Sequence, residues 1–437
     1  MVPPCHGPQP GTYHIVTLGC RTNQADSGAL QRLLLEAGYR PAGAEEAGLI
    51  ILNTCTVTHR ADQDSRRLAR QLARRNPGAR LIVTGCYAER EPELLARIQG
   101  VSQVATHEEL FHSPGFGKAA EGGSDPEADF PPAGPDRDHT RPFLKIQDGC
   151  DSCCSYCIVP SVRGAARSVP PDIVLEQVAR LIREGFQEIV LTGIHLGSYG
   201  RKLPVRCSLP VLIRRALELP GLGRLRLSGI EPMEFSEELI ALAGQSPRLA
   251  PHFHLPLQSG SAEVLRRMRR PYTPHEYLQT VEAIRRTVPD AGIGADILTG
   301  FPGETEAQHE ESIGLVREAP IDFLHVFSYS RRPGTPAARY EPLPYDTVRR
   351  RSREFHQLAE EKRQQFGMRF LGRSLRALAL SPPGEGSGTE VLTGNYLTVR
   401  IPDVSLPANG WVEVEIEEIR AGEIRGRAVE VSPPPRS

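Results

Sequence analysis

The sequence predicts an α/β protein in three parts. These are an N-terminal open parallel α/β sheet, a central partial or full parallel β/α barrel, and a small C-terminal antiparallel β-barrel. Three observations carry that reading. β-branched runs alternate with helix-spaced leucines over residues 13–112, and the alternation resumes from about Arg141 to Arg331. Beyond Arg373 the pattern changes to short alternating strands with Gly/Pro turns. A length of 437 residues agrees with several cores rather than one.

The elements follow in order. Tyr13–Leu18 reads as a strand ending at Gly19-Cys20, and Leu30, Leu33, Leu34 and Ala37 then recur at helical spacing within Ala25–Ala37. Gly38 stops that helix. Leu49–Leu52, Ser65–Arg75 and Leu81–Thr84 continue as strand, helix and strand. From Ser113 to Arg141, Gly, Pro, Asp, Glu and Ser displace any periodicity, which marks a linker. Strand candidates then return at Phe143–Gln147, Glu188–Thr192, Arg224–Ser228, Phe253–Leu257, Ala291–Ile297 and Phe323–Phe327. Helical segments such as Ile173–Glu184 and Thr280–Thr287 lie between them. Six βα-like units predict a parallel barrel whose reactive end is the C-terminal edge of its strands. Thr398–Ile401 and Trp411–Ile416 belong to the last part. The predicted bounds are 11–112, a linker over 113–139, 140–371 and 372–434.

Composition narrows the class. Hydrophobic residues make up 39% and charged residues 24%, as in a globular enzyme. Lys+Arg at 52 against Asp+Glu at 53 leaves a net charge of −1, so any nucleic-acid footprint must be local. No stretch approaches a membrane span, and Met1-Val2-Pro3-Pro4-Cys5-His6-Gly7 lacks the features of a signal peptide. The expectation is a cytoplasmic protein, where thiols stay reduced. Nine cysteines then point to metal ligation or redox chemistry.

The sharpest local signal is Gly149-Cys150-Asp151-Ser152-Cys153-Cys154-Ser155-Tyr156-Cys157, just after a barrel strand. Cys150, Cys154 and Cys157 form C-x3-C-x2-C, and three thiolates on one tight loop can hold three irons of a cubane and leave the fourth open. Cys153 also permits two C-x2-C pairs, which keeps zinc as the alternative. Adjacent Cys153 and Cys154 leave no spacer between zinc knuckles, however. Cys20, Cys55 and Cys86 each follow a predicted strand of the first part, so they can converge on one sheet edge. Their alternative is three buried small hydrophobes. Cys5 and Cys207 have no such setting and read as incidental.

Taken together, these segments resemble the radical-SAM methylthiotransferase family over nearly the whole chain. The resemblance rests on Thr17-Leu18-Gly19-Cys20-Arg21-Thr22-Asn23-Gln24, Asn53-Thr54-Cys55-Thr56-Val57-Thr58, Thr84-Gly85-Cys86-Tyr87-Ala88 and the 150–157 loop. Leu191-Thr192-Gly193-Ile194-His195-Leu196-Gly197-Ser198-Tyr199-Gly200, His254-Leu255-Pro256-Leu257-Gln258-Ser259-Gly260-Ser261 and Gly300-Phe301-Pro302-Gly303-Glu304-Thr305 add to it. It makes the central part a radical-SAM domain and the C-terminal barrel a TRAM-like RNA-binding module. It implies two 4Fe-4S clusters, one on Cys150, Cys154 and Cys157 and an auxiliary one on Cys20, Cys55 and Cys86. Cys153 stands where the family usually has a non-cysteine, and it reads as a bystander.

The family has branches acting on isopentenyladenosine in tRNA, on a ribosomal-protein aspartate, and on threonylcarbamoyladenosine in tRNA. The wording around Cys20 and Cys55, with Thr192-Gly193-Ile194-His195 and Gly394-Asn395-Tyr396, is most similar to the third. The implied reaction replaces the C2–H of adenine by C–S–CH3. S-adenosylmethionine serves there both as radical source and as methyl donor, and an electron donor and a sulfur source are further partners. No catalytic His/Asp pair is expected. A rival from another class is a non-catalytic RNA-binding scaffold whose cysteines hold zinc.

Within this frame Tyr156, Thr192, Gly193, His254, Gln258 and Gly300 are candidate cofactor-binding residues. A histidine or a Gly/Pro turn at a strand end is otherwise an ordinary structural feature. Residues 331–376 carry 12 Lys+Arg against 5 Asp+Glu. Arg331, Arg332, Arg349, Arg350 and Arg351 in that stretch are therefore the candidates for neutralising tRNA phosphates. A solvated helix face is the plainer reading of the same charges. Residues 372–437 hold 7 Arg and 9 Asp+Glu, so RNA contact there would rest on shape and a few arginines. No membrane contact is expected, and no oligomeric state is legible.

Overall fold

Runs such as Leu49-Ile50-Ile51-Leu52 are buried throughout, as the inner strands of a two-sided parallel sheet must be. The computed structural model describes residues 9–113, 134, 140–380, 388–420 and 422–432. Cys5 and all of the expected linker except Ser113 and Gly134 lie outside these residues. The first sheet comprises β1 (Gln9–Thr17), β2 (Arg40–Pro41), β3 (Ala47–Thr54), β4 (Arg80–Gly85) and β5 (Val101–Val104). Its order is β2-β1-β3-β4-β5, with every pairing parallel. Helix Arg21–Glu36 starts earlier than periodicity predicts because its first turn is buried through polar residues, among them Thr22, Asn23 and Asp26. Helix His59–Arg75 also starts early, where the Thr58 side chain accepts a hydrogen bond from the Ala61 amide.

The central part holds β6 (Phe143–Asp148), β7 (Arg167–Ser168), β8 (Glu188–Gly193), β9 (Arg224–Leu227), β10 (His252–His254), β11 (Gly292–Thr299) and β12 (Phe323–Ser328). One sheet runs β7-β6-β8-β9 and the next β10-β11-β12. Hydrogen bonds from Leu225 N to Arg248 O and from Ile230 N to His254 O join β9 to the β10 side. The six parallel strands therefore make a partial barrel, with β7 antiparallel at one edge. An apolar cluster that includes Ile146, Leu191, Leu225, Phe253 and Ile297 packs these strands against the surrounding helices through Val178, Leu212 and Val281.

The last part is a closed barrel of β13 (Ser374–Ala379), β14 (Thr389–Thr393), β15 (Thr398–Ile401), β16 (Trp411–Arg420) and β17 (Glu423–Ser432). It is not wholly antiparallel. The short β15 meets β17 in parallel at Arg400 and Arg425, and this pairing closes the cylinder. Helix Tyr345–Met368 runs along β12 and delivers Phe366 and, just past its end, Phe370 into the barrel core beside Val399 and Val412. Each such ring contributes about 1.5–3 kcal/mol by leaving water.

The three parts are joined by buried charge. Arg224 Nη2 donates to Leu392 O at 3.1 Å, and Arg226 donates to Gly394 O at 2.9 Å and Thr393 O at 3.1 Å. Both arginines pair with the fully buried Glu188. Burial alone would raise the Glu188 carboxyl, but the two guanidinium groups hold it well below the usual carboxylate range. Among the described residues, no helix is long and apolar enough to cross a membrane.

Candidate functional site

Parallel strands bring their C-terminal ends to one edge, and the first sheet uses that edge for cysteines. Cys20 precedes helix Arg21–Glu36 as its cap, Cys55 follows β3, and Cys86 opens the short helix Cys86–Arg90 after β4. Two glycines make this crowding possible. A Cβ on Gly19, at φ +104, would lie 2.8 Å from Cys55 Cβ. One on Gly85, at φ +94, would lie 2.4 Å from Thr54 O. Asn23 ties the edge together, with Nδ2 donating to Leu18 O at 2.8 Å and Thr54 O at 2.9 Å. Its Oδ1 lies 4.0 Å from Cys20 Sγ and 3.8 Å from Cys86 Sγ. Burial pushes the Cys55 thiol up to about 12, and burial also raises Cys86 against the opposing charge of Arg163.

The second set sits on the loop after β6. Cys150 Sγ lies 3.5 Å from His195 Nδ1 and accepts the Ser152 amide at 3.4 Å. Cys154 Sγ accepts from Arg270 Nη1 at 3.4 Å, and the Cys157 amide donates to Cys154 O at 3.2 Å. Burial would lower the pKa of His195, yet hydrogen bonds to Cys150 and Glu234 outweigh it and hold the ring up to about 10. The exposed Cys153 points its thiol toward Asp151 O at 3.9 Å.

These donor sets fit two iron–sulfur clusters. Each offers three thiols and a cation within reach of one sulfur, Arg163 for the first set and His195 and Arg270 for the second. A cation there matches the negative charge of thiolate-bound iron. A single tetrahedral zinc ion would need sulfurs within about 4 Å of one another. Among the described residues, the one group of three ligating side chains gathered within 4.8 Å is His254, Asp296 and His325, not a cysteine triad.

A cavity of about 250 Å³ opens beside Cys157, walled by Tyr156, Gln258, Asp296 and Leu298 from the barrel. Val57 and Thr58 close it from the first sheet. Asp296 accepts from His254 Nε2 at 2.9 Å and lies 3.4 Å from His325 Nδ1. Burial would raise the Asp296 carboxyl, but the two imidazoles hold it well below the usual range. Of the predicted cofactor residues, Tyr156 and Gln258 line this cavity, and His254 buttresses it through Asp296. Thr192 is buried, and its hydroxyl has no hydrogen-bond partner among the described residues. Gly193 packs on Gln147. Gly300 lies elsewhere, on a second cavity of about 420 Å³ shared with Val348 and Arg349.

The predicted basic stripe needs correction. Arg332 is buried, 2.8 Å from both Asp62 and Thr56, and Arg351 is buried 2.7 Å from Glu304. Neither guanidinium is presented to a phosphate. Arg350 pairs with Glu306 and Glu354, while Arg331 and Arg349 are exposed. Conversely, sequence reasoning assigned no role to Asn23, Arg163, His195, Arg270 or Asp296. Asn23 and His195 lie inside the quoted motifs. Arg270, 116 residues from Cys154, has no spacing signal at all.

The model of uncharacterized protein family UPF0004 matches residues 12–106, and that of the radical SAM superfamily matches residues 144–316. The threonylcarbamoyladenosine tRNA methylthiotransferase MtaB of Aquifex aeolicus (strain VF5) is 36% identical over 404 residues, covering 88% of this chain and 95% of that protein. The protein of the same name from Bacillus subtilis (strain 168) is 36% identical over 348 residues, 76% of each chain. Among solved structures, the radical S-adenosylmethionine methyltransferase TsrM from Kitasatospora setae, with tryptophan substrate and a SAM analogue bound, shares the fold. Its TM-score is 0.54 at 15% identity, over 75% of this chain and 74% of that one.

Proposed function

Because the chain belongs to the threonylcarbamoyladenosine tRNA methylthiotransferase family, we propose that it converts N6-threonylcarbamoyladenosine beside the tRNA anticodon to its 2-methylthio derivative. The observation that carries this reading is that one cavity is walled by both cysteine regions, lined by Val57 and Thr58, just past Cys55, together with Cys157 and Asp296. A reaction that breaks a C–H bond at one centre and takes sulfur from another needs a pocket reaching both. A zinc scaffold has no need of one.

In this reading Cys150, Cys154 and Cys157 hold one 4Fe-4S cluster, and Cys20, Cys55 and Cys86 hold the other. Once bound, the clusters and S-adenosylmethionine supply one-electron reduction, hydrogen abstraction, and the sulfur and methyl groups. The chain's own residues position and shield. His195 and Arg270 orient Cys150 and Cys154 and balance their charge. Tyr156 and Leu298 give the cavity an apolar wall that keeps water from a reactive carbon, and Gln258 and Asp296 offer polar groups suited to sugar hydroxyls. Buried Thr192 and half-buried Gly193 end β8 beside the cysteine loop.

The exposed Arg331 and Arg349 contribute to phosphate neutralisation, and the C-terminal barrel adds contacts through its shape. The partners besides tRNA are an electron donor and a sulfur source, and the site of action is the cytoplasm, where tRNA resides. The test is nucleoside mass spectrometry of tRNA from a host lacking the modification, with and without the expressed chain. A methylthio increment on threonylcarbamoyladenosine supports the reading. Holoprotein with both clusters that leaves this nucleoside untouched overturns the substrate assignment.

A further inference from the structure

Arg163 ends the short helix Val159–Arg163, six residues past Cys157, yet its side chain crosses into the first sheet. Its guanidinium is buried and fully engaged. Nε donates to Cys86 Sγ at 3.1 Å, and Nη2 donates to Asn23 Oδ1. Nη1 lies 2.9 Å from Asp26 Oδ2 and 3.2 Å from Asp148 Oδ2. One planar group therefore addresses a cysteine of the first triad, the asparagine beside two of its sulfurs, and a carboxylate from each module.

The surrounding charges are already balanced. Asp26 and Asp148 face Lys145 as well as Arg163, and Lys145 Nζ lies 2.9 Å from Asp148 Oδ2. His107 is the remaining titratable group against Asp26, and burial pulls it down to about 4, leaving it neutral. A lysine thus already serves the carboxylates. What Lys145 does not provide is a directed N–H on sulfur, which the guanidinium fork does. A hydrogen bond to a cluster-ligating sulfur withdraws electron density and favours the reduced, more negative state.

We propose that Arg163 is a positioning residue of the radical-SAM module that tunes the other module's cluster, its Nε–H on Cys86 raising the reduction potential of the auxiliary centre. This rests on the reading of Cys20, Cys55 and Cys86 as that cluster's ligands. It makes the auxiliary centre's potential depend on a residue that arrives only when the two modules are docked.

The test uses full-length, anaerobically reconstituted holoprotein. Iron and sulfide are counted per chain, and both clusters are titrated potentiometrically with EPR detection in wild type, Arg163→Lys and Arg332→Lys. Arg332→Lys controls for a weakened buried pair at the same interface, away from Cys86. The expected result for Arg163→Lys is wild-type iron content, an unmoved barrel cluster and an auxiliary potential shifted negative, with no shift in Arg332→Lys. An unmoved auxiliary potential, equal shifts of both clusters, or loss of auxiliary iron from Arg163→Lys each overturns the proposal. Cys86→Ala tests the underlying reading separately. If it keeps all of its iron, the ligand assignment fails whatever Arg163 does.

Discussion

Cys86 packs against Ile158, the residue immediately after Cys157, in one small buried cluster completed by Val162. The two cysteine regions are thus adjoining walls of one interface, although 71 residues separate Cys86 from Cys157 in the chain.

Two independent clusters predict two independent losses of iron. The triple variant Cys150→Ala, Cys154→Ala, Cys157→Ala should lose about half the iron and sulfide of anaerobically reconstituted protein. Cys20→Ala, Cys55→Ala, Cys86→Ala should lose the other half. Cys153→Ala should keep the full content, since its thiol is exposed and turned toward Asp151 O. Elemental analysis and visible absorption read all three.

Glu188 predicts an acid-sensitive junction between the radical-SAM barrel and the C-terminal barrel. Its folded pKa is depressed by Arg224 and Arg226 against the cost of burial, so its stabilisation is fully present above the unfolded value of about 4.3. That contribution falls away as pH drops below this value toward the folded pKa. Glu188→Gln leaves two buried guanidinium groups underpaired and should cost about 3–5 kcal/mol at neutral pH. Thermal unfolding should therefore show a lower Tm for Glu188→Gln at pH 7, with the gap to wild type closing as acid protonates the native carboxylate.

Much of this architecture was legible because it is written locally. Strand runs such as Leu49–Leu52 and the C-x3-C-x2-C loop are patterns within a few residues, and the strand-end positions of Cys20, Cys55 and Cys86 follow from topology. The rest depends on distant partners. A count of arginines over 331–376 cannot reveal that Arg332 meets Asp62, 270 residues away, or that Arg351 meets Glu304. Arg163 and Arg270 were invisible for the same reason, since only the folded chain brings them to cysteine sulfur. The parallel β15–β17 pairing escaped because a strand pattern gives no direction.

That correction splits the basic stretch into two testable halves. Arg331→Gln and Arg349→Gln remove exposed charges and should weaken tRNA binding at low salt. Each should also reduce the slope of log K against log[salt] by about 0.7–0.9, with Tm nearly unchanged. Arg332→Gln should do the reverse, costing about 1–3 kcal/mol through the lost charged hydrogen bond to buried Asp62, which keeps Arg90 at 3.3 Å, while leaving the salt slope of the folded fraction alone. Binding titrations at several salt concentrations, beside melting curves, separate the two.

Tyr396 links all three parts, and this gives the last prediction. Its hydroxyl accepts from Arg21 Nη2 at 2.8 Å, next to Cys20 in the first sheet. Its ring stacks on His252 of the radical-SAM barrel, with centroids 4.1 Å apart, and lies under Arg226 at 5.1 Å. The residue itself holds φ +76 in the turn after β14, a strained conformation that the surrounding contacts must maintain. Tyr396→Phe keeps the stack and loses one hydrogen bond, so it should cost about 1 kcal/mol. Tyr396→Ala removes the ring as well and should cost about 3–5 kcal/mol. The loss should be seen first at the junction, because Trp411 packs there under Arg224 and Arg376 at 4.8 Å and 4.3 Å. As the chain's 1 tryptophan, it reports that contact alone. A fluorescence transition of Trp411 preceding global unfolding in Tyr396→Ala, and coinciding with it in Tyr396→Phe, is the expected result. Coincident transitions in both variants would mean that the tyrosine is not what holds the barrel in place.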